Sequence, residues 1–274
     1  MKATLDAAVA ALRAGDTEPI EKLSAAGSAV VPYLGAYLHD PDDDVRWRAV
    51  SIAAGSGDAS AIPLLLEALA DADQSIVSRA ALALYRRFSP TAVMSAPGAA
   101  RILAACVDGG QRTAAAILLL GNDGPEAAPS LRRVVESGDG SLSELESWTP
   151  VVSSALVARV ALARLGDPAA LTELTSAIPR SGLDELRFLL EVIAELDDPA
   201  FLQLLASTTL SDTRPVQAAA PSGVSSGWRL CDAAVSAFVK ALSLPVRFAL
   251  RSVQPYEATQ VEEVKGLFAR SRRA

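Results

Sequence analysis

"PYLGAYLHDPDDDVRWRAVSIAA", Pro32 to Ala54, can be laid over "PLLLEALADADQSIVSRAALALY", Pro63 to Tyr85, and that overlay decides the architecture. Pro32 meets Pro63, Leu38 meets Leu69, Asp40 meets Asp71, Asp42 meets Asp73, Val45 meets Ile76, and Arg48 meets Arg79, each pair 31 residues apart. The same offset returns where "LGDPAAL", Leu165–Leu171, matches "LDDPAFL", Leu196–Leu202. Between these blocks, "LLLGNDGPEAAPSL" stands 45 residues ahead of "LGDPAAL", so the stretch Ser137–Pro150, "SGDGSLSELESWTP", reads as an insertion. Self-similarity at a fixed period of this length marks a repeat architecture, with insertions gathered in loops on one face.

Each unit resolves into two helices. Val30, Val31, Leu34 and Leu38 recur at the three-and-four spacing of one helix face. Asp40-Pro41 should stop that helix, because the residue before a proline is pushed out of the helical region. Val45, Ala49, Ile52 and Ala53 form the stripe of the second helix, which should end at Gly55 and Gly57. Further second helices are expected over Ile76–Phe88, Gln111–Leu120, Val152–Leu165 and Leu183–Leu196. A lone helix pair cannot bury its apolar side, so neighbours must stack into one core. The expectation is an all-α chain: a single α-solenoid of about six or seven helix pairs. Residues 1–27 would cap its start, residues 28–210 would hold the repeats, and residues 211–274 would add a loop and closing helices.

The stretch Val30–Ala54 resembles the bacterial HEAT-repeat pattern, in which a helix ending in Leu is followed by Asp-Pro-Asp, then Val-Arg and Ala. Pro32, Leu38, Asp40, Pro41, Asp42, Val45, Arg46 and Ala49 carry the likeness. The second unit departs from it with Val77 in the arginine position, and later units lose the Asp-Pro-Asp linker. The resemblance spans roughly 22–210 and implies a right-handed superhelix whose second helices line a concave face. It also implies pairing of Arg46 and Arg48 with the linker carboxylates, within or between units, as a ladder. Some HEAT-like proteins are alkylated-DNA glycosylases, others resemble bilin lyases, and an immunity-type inhibitor of one partner belongs to the same binding class.

Composition narrows the rest. Of 274 residues, half are apolar and 21% charged, enough to bury a core. The net charge of −7 argues against general nucleic-acid binding, whose affinity comes mainly from Lys and Arg. No apolar run approaches the ~20 residues of a membrane span. Cys106 and Cys231 lack any CxxC spacing, which fits a reduced cytoplasmic protein.

Four carboxylates crowd Asp40–Asp44, yet they make a poor calcium loop. An EF-hand starting at Asp40 needs Gly at its sixth position and a bidentate Glu at its twelfth, where this chain has Val45 and Ser51. Their other role, capping a helix N-terminus, recurs at Asp73 and Ser75 one unit later. The one histidine, His39, lies far in sequence from both cysteines, which leaves nucleophilic catalysis poorly supplied. The sequence therefore points to no cofactor, no metal and no enzyme. What remains is surface. Trp47 lies about 200° around its helix from Val45 and shares a side with Val50, Ser51 and Ala54. The equivalents one unit on are Ser78, Ala81, Leu82 and Tyr85. Trp47, Arg48, Leu82 and Tyr85 are the expected contacts of a groove for a protein or peptide partner, with Trp148 in the insertion and Trp228 as similar candidates.

Overall fold

The computed structural model describes residues 1–24, 27–109, 112–138, 141–142, 152–216, 227–251 and 254–271. They form two compact units, Met1–Gly138 and Asp139–Ala274, and the boundary falls at the start of the insertion. Both are helical, and the fold is the all-α one of an α-solenoid, with helix pairs stacked on one another.

In the first unit, α1 (Lys2–Arg13) pairs with α2 (Glu18–Ser24). Two 3-10 stretches, Gly27–Tyr33 and Gly35–Tyr37, then pack against α3 (Asp43–Ser56). This differs from the α-helix expected over Val30–Leu38. Pro32 lies inside the first stretch and offers no backbone N–H, and Gly35 opens the second. The tighter turn still buries the intended side chains: Val30, Val31, Leu34 and Leu38 are all in the core. Next come α4 (Ile62–Glu67) and α5 (Gln74–Arg87), a short α6 (Pro90–Met94), then α7 (Ala99–Asp108) and α8 (Ala114–Leu120), and last α9 (Ala128–Ser137). Helices α4, α7 and α9 pack in succession as one layer, and α3, α5 and α8 as the other.

The helix starts follow from the repeated aspartates. Asp42 caps α3 by accepting from the Asp44 N–H at 3.0 Å, and Asp73 caps α5 by accepting from the Ser75 N–H at 2.7 Å. Such a cap contributes about 0.5–2 kcal/mol. At its other end α3 runs through Gly55 and stops at Gly57, whose φ of 64° places it in the left-handed region that glycine tolerates.

The second unit opens on a two-residue antiparallel ladder, β1 (Ser141–Leu142) with β2 (Val152–Ser153). It continues through α10 (Ser154–Arg164), α11 (Pro168–Ala177), α12 (Leu183–Glu191), α13 (Pro199–Thr209), α14 (Leu230–Ala241) and α15 (Ala258–Ser271). Here α11 packs on α10 and α13, and α14 on α12 and α13. In "LGDPAAL" and "LDDPAFL" the Asp-Pro pair starts a helix: Asp167 and Asp198 are N-caps and Pro168 and Pro199 take the first helical position, where no N–H is needed. The long break after α13 leaves and re-enters side by side, as the insertion does. The Val216 N–H donates to the Trp228 carbonyl at 2.8 Å and the Leu230 N–H to the Arg214 carbonyl at 3.0 Å.

A buried polar hub fastens the end of this unit. Asp232 is wholly buried and accepts from the Arg229 guanidinium at 2.9 and 3.0 Å and from the Tyr256 N–H at 2.9 Å. The same guanidinium donates to the Tyr256 carbonyl at 2.8 Å. Phe238 of α14 and Phe268 of α15 also meet edge to face, with ring centroids 5.2 Å apart.

Candidate functional site

The Asp40–Asp44 cluster is consumed by structure. Asp40 accepts from the Asp42 N–H at 3.0 Å, as Asp71 does from the Asp73 N–H at 2.8 Å one repeat later. Asp40 is also ion-paired with Arg13 of α1. Arg46 reaches forward to Asp71 with two hydrogen bonds, 2.8 and 3.2 Å, and back to the Asp40 carbonyl at 2.9 Å. Arg13–Asp40 and Arg46–Asp71 are two rungs of a ladder between successive repeats. The position equivalent to Arg46 one repeat on is Val77, which carries no charge to extend it. Among the described residues no group of three or more His, Cys, Asp or Glu is placed to hold a metal ion.

His39 lies on an open, shallow cleft of about 450 Å³ that Asp40, Arg46, Glu67 and Asp71 also line. Its Nε2 stands 2.7 Å from a Glu67 carboxylate oxygen. Both thiols are buried. Burial pushes the Cys106 thiol up to about 11, and burial together with the neighbouring Asp232 carboxylate raises that of Cys231. A nucleophilic cysteine needs the thiolate, and neither environment supplies it at neutral pH.

The residues expected to meet a partner divide differently. Because α3 and α5 pack side by side, the equivalent arginines Arg48 and Arg79 both come over the Trp47 ring, at 5.2 and 5.9 Å from its centroid. A guanidinium over an indole face is attracted by the ring's quadrupole, about 0.5–1 kcal/mol where exposed. Trp47, Arg48, Ser78, Arg79 and Tyr85 are half-buried. From the neighbouring α2, Glu21 approaches Arg48 to 3.6 Å. Leu82, expected in the groove, is instead a core residue at 7% exposure, as are Val50 and Ala54 on the Trp47 side of α3. The reason is geometric. A second helix is flanked by the second helices before and after it and backed by its own partner, so only a narrow stripe stays open. Helix α8 shows the limit: every residue from Ala114 to Leu120 is buried, and the open stripe does not continue onto it. Trp148 lies outside the described residues, and Trp228 is half-buried next to the Pro215–Arg229 bridge.

The sequence carries one signal for the Arg79–Trp47 contact, the 31-residue offset that pairs Arg48 with Arg79.

These features define a class: an all-α repeat protein whose stacked second helices leave a thin aromatic and cationic stripe exposed. The sequence pattern of HEAT repeats matches residues 31–121, about a third of the chain. That match takes in both overlaid units and α7, and it ends just beyond α8. No curated protein sequence matches the chain.

Proposed function

We propose that this protein is a non-enzymatic binding scaffold that takes a protein or peptide segment on the exposed stripe of α3 and α5, the concave face of its HEAT array. One observation carries the reading: a half-buried tryptophan with two arginine guanidiniums over its ring, on the layer of helices that such arrays turn toward their ligands. Tryptophan, tyrosine and arginine are the residues most enriched at the energetic centres of interfaces. HEAT repeats commonly serve as protein-interaction scaffolds, and the match over residues 31–121 contains the whole stripe. Two buried cysteines that form no disulfide fit a cytoplasmic setting.

The test compares the wild-type chain with the Trp47→Ala/Tyr85→Ala variant, each immobilised and challenged with native lysate. Partners captured by the wild type should be lost from the variant. The melting temperature should fall by only a few degrees, because neither ring is fully buried. An unchanged capture profile would place the binding surface elsewhere, and a collapse of stability would mark both rings as core.

A further inference from the structure

We infer that Asp123-Gly124, in the turn between α8 and α9, is a site of spontaneous covalent modification, where the backbone is rerouted through the Asp123 side chain to give isoaspartate. The inference stands apart from the scaffold reading and survives its failure.

The chain carries the Asp-Gly pair again at Asp108-Gly109, and the two surroundings differ at each group the reaction needs. Asp108 is held. Arg133 donates to both of its carboxylate oxygens, at 3.2 and 2.7 Å, and the Ser130 hydroxyl adds a bond at 3.1 Å. The Gly109 N–H is occupied as well, donating to the Ala105 carbonyl at 2.9 Å. At the other pair both groups are open. The half-buried Asp123 carboxyl has no hydrogen-bond partner among the described residues, and the Gly124 N–H donates to none. A third pair, Asp139-Gly140, lies outside the described residues.

Glu126 completes the arrangement. A Cβ built on Gly124 would stand 3.1 Å from Glu126 Oε2, so that carboxyl group lies against the Gly124 backbone. Burial, with the Glu126 charge second, raises the Asp123 pKa and favours the neutral acid, the form a nitrogen can attack. Gly124 has φ 92° and ψ −170°, a region essentially reserved for glycine, and the missing side chain leaves its nitrogen unobstructed.

In the first step the Gly124 nitrogen bonds to Asp123 Cγ as a Cγ–O bond breaks. The nitrogen's proton passes to Glu126 and on to the departing hydroxyl, and one water leaves. Water then opens the succinimide. Opening at Cγ restores aspartate. Opening at the main-chain carbonyl leaves the chain running through Cγ, with unchanged mass and one extra main-chain carbon. That carbon falls just ahead of the Ala127 N–H bond to the Gly124 carbonyl, 3.1 Å, which leads into α9, so the modification should loosen α9 on α7.

The experiment incubates the full chain at neutral pH and physiological temperature for weeks and then digests it with trypsin. Cleavage after arginine puts Asp108 in the peptide Ile102–Arg112 and Asp123 in Thr113–Arg132, while Asp139 falls in a third. Thr113–Arg132 should split into two chromatographic peaks of equal mass, the new one identified as isoaspartate by electron-transfer fragmentation. Ile102–Arg112 should stay single, and both should split when the chain is held in denaturant. Glu126→Gln, whose melting curve reports folding, should slow the reaction of the folded chain by about tenfold or more. Equal conversion of the two peptides in the folded chain would overturn the inference. So would a Thr113–Arg132 peptide that stays single in the folded chain while splitting in denaturant. An unchanged rate in Glu126→Gln would overturn it too, by reducing the site to the intrinsic reactivity of the dipeptide.

Discussion

Asp71→Ala should destabilise the first unit by about 3 kcal/mol, the low end of the range for breaking a buried ion pair. The figure comes from what the carboxylate holds. Asp71 is 8% exposed in its side chain and Arg46 16%, so water replaces little of the lost interaction. Two hydrogen bonds to the guanidinium vanish, and the Asp73 N–H loses its acceptor at the start of α5. Arg46 keeps only the Asp40 and Pro41 carbonyls, at 2.9 and 3.4 Å, for a charge that has lost its counterion. Arg46→Met keeps the aliphatic stem and should cost less, about 2 kcal/mol. Asp71→Asn can still accept from the Asp73 N–H, so a cycle of Arg46→Met and Asp71→Asn isolates the charged contact. Urea unfolding followed by far-ultraviolet circular dichroism should return a coupling of about 1–2 kcal/mol. A coupling below about 0.5 kcal/mol would refute the claim that this rung ties one repeat to the next.

Acid should act through the carboxylates whose pKa the fold depresses. Asp73 is lowered mainly by its hydrogen bond from Ser75, and Asp108 by its hydrogen bond from Arg133. A depressed folded pKa gives stability that is fully present above the unfolded value of about 3.9 and is lost as pH falls through the folded one. Melting temperature should therefore hold down to about pH 5 and decline below about pH 4, with a shallower decline in Asp108→Asn. Asp232→Ala should cost about 3–5 kcal/mol and raise hydrogen exchange in α15, because it strands a partly buried guanidinium and releases the Tyr256 N–H. Exchange in α15 equal to wild type would show that the aromatic contact alone holds that helix. Cys106 and Cys231 should resist a thiol-reactive disulfide reagent at neutral pH and react fully after unfolding; prompt labelling of the native chain would contradict their burial.

The stacking of helix pairs was legible because its signals are local and periodic. Asp42 and Asp73 act at a distance of two or three residues, and the repeat writes the same device twice. Burial followed the apolar spacing even where the helix type did not. Val30, Val31 and Leu34 reach the core through a 3-10 path, since residues three apart share a side in either helix. The two-residue ladder at the insertion and the isolated Pro215–Arg229 bridge after α13 had no comparable signal, being short pairings set by where the chain returns.

The site was less legible, for a reason that lies in the architecture. A helical projection ranks residues by angle around one axis and does not see the flanking helices. It places Leu82, Val50 and Ala54 on the Trp47 side, but all three are core residues where α3 packs on α5 and α5 on α8. What survives is whatever is long enough to clear the flanks, and in these repeats that means tryptophan, tyrosine and arginine. The stripe is selected by side-chain length as much as by polarity. Arg48 and Arg79 would lie a full repeat apart on a flat sheet of helices. Each nonetheless reaches the one large ring, 5.2 and 5.9 Å from its centroid. Shortening Trp47 to leucine should therefore release both guanidiniums from their ring contact as well as remove the ring.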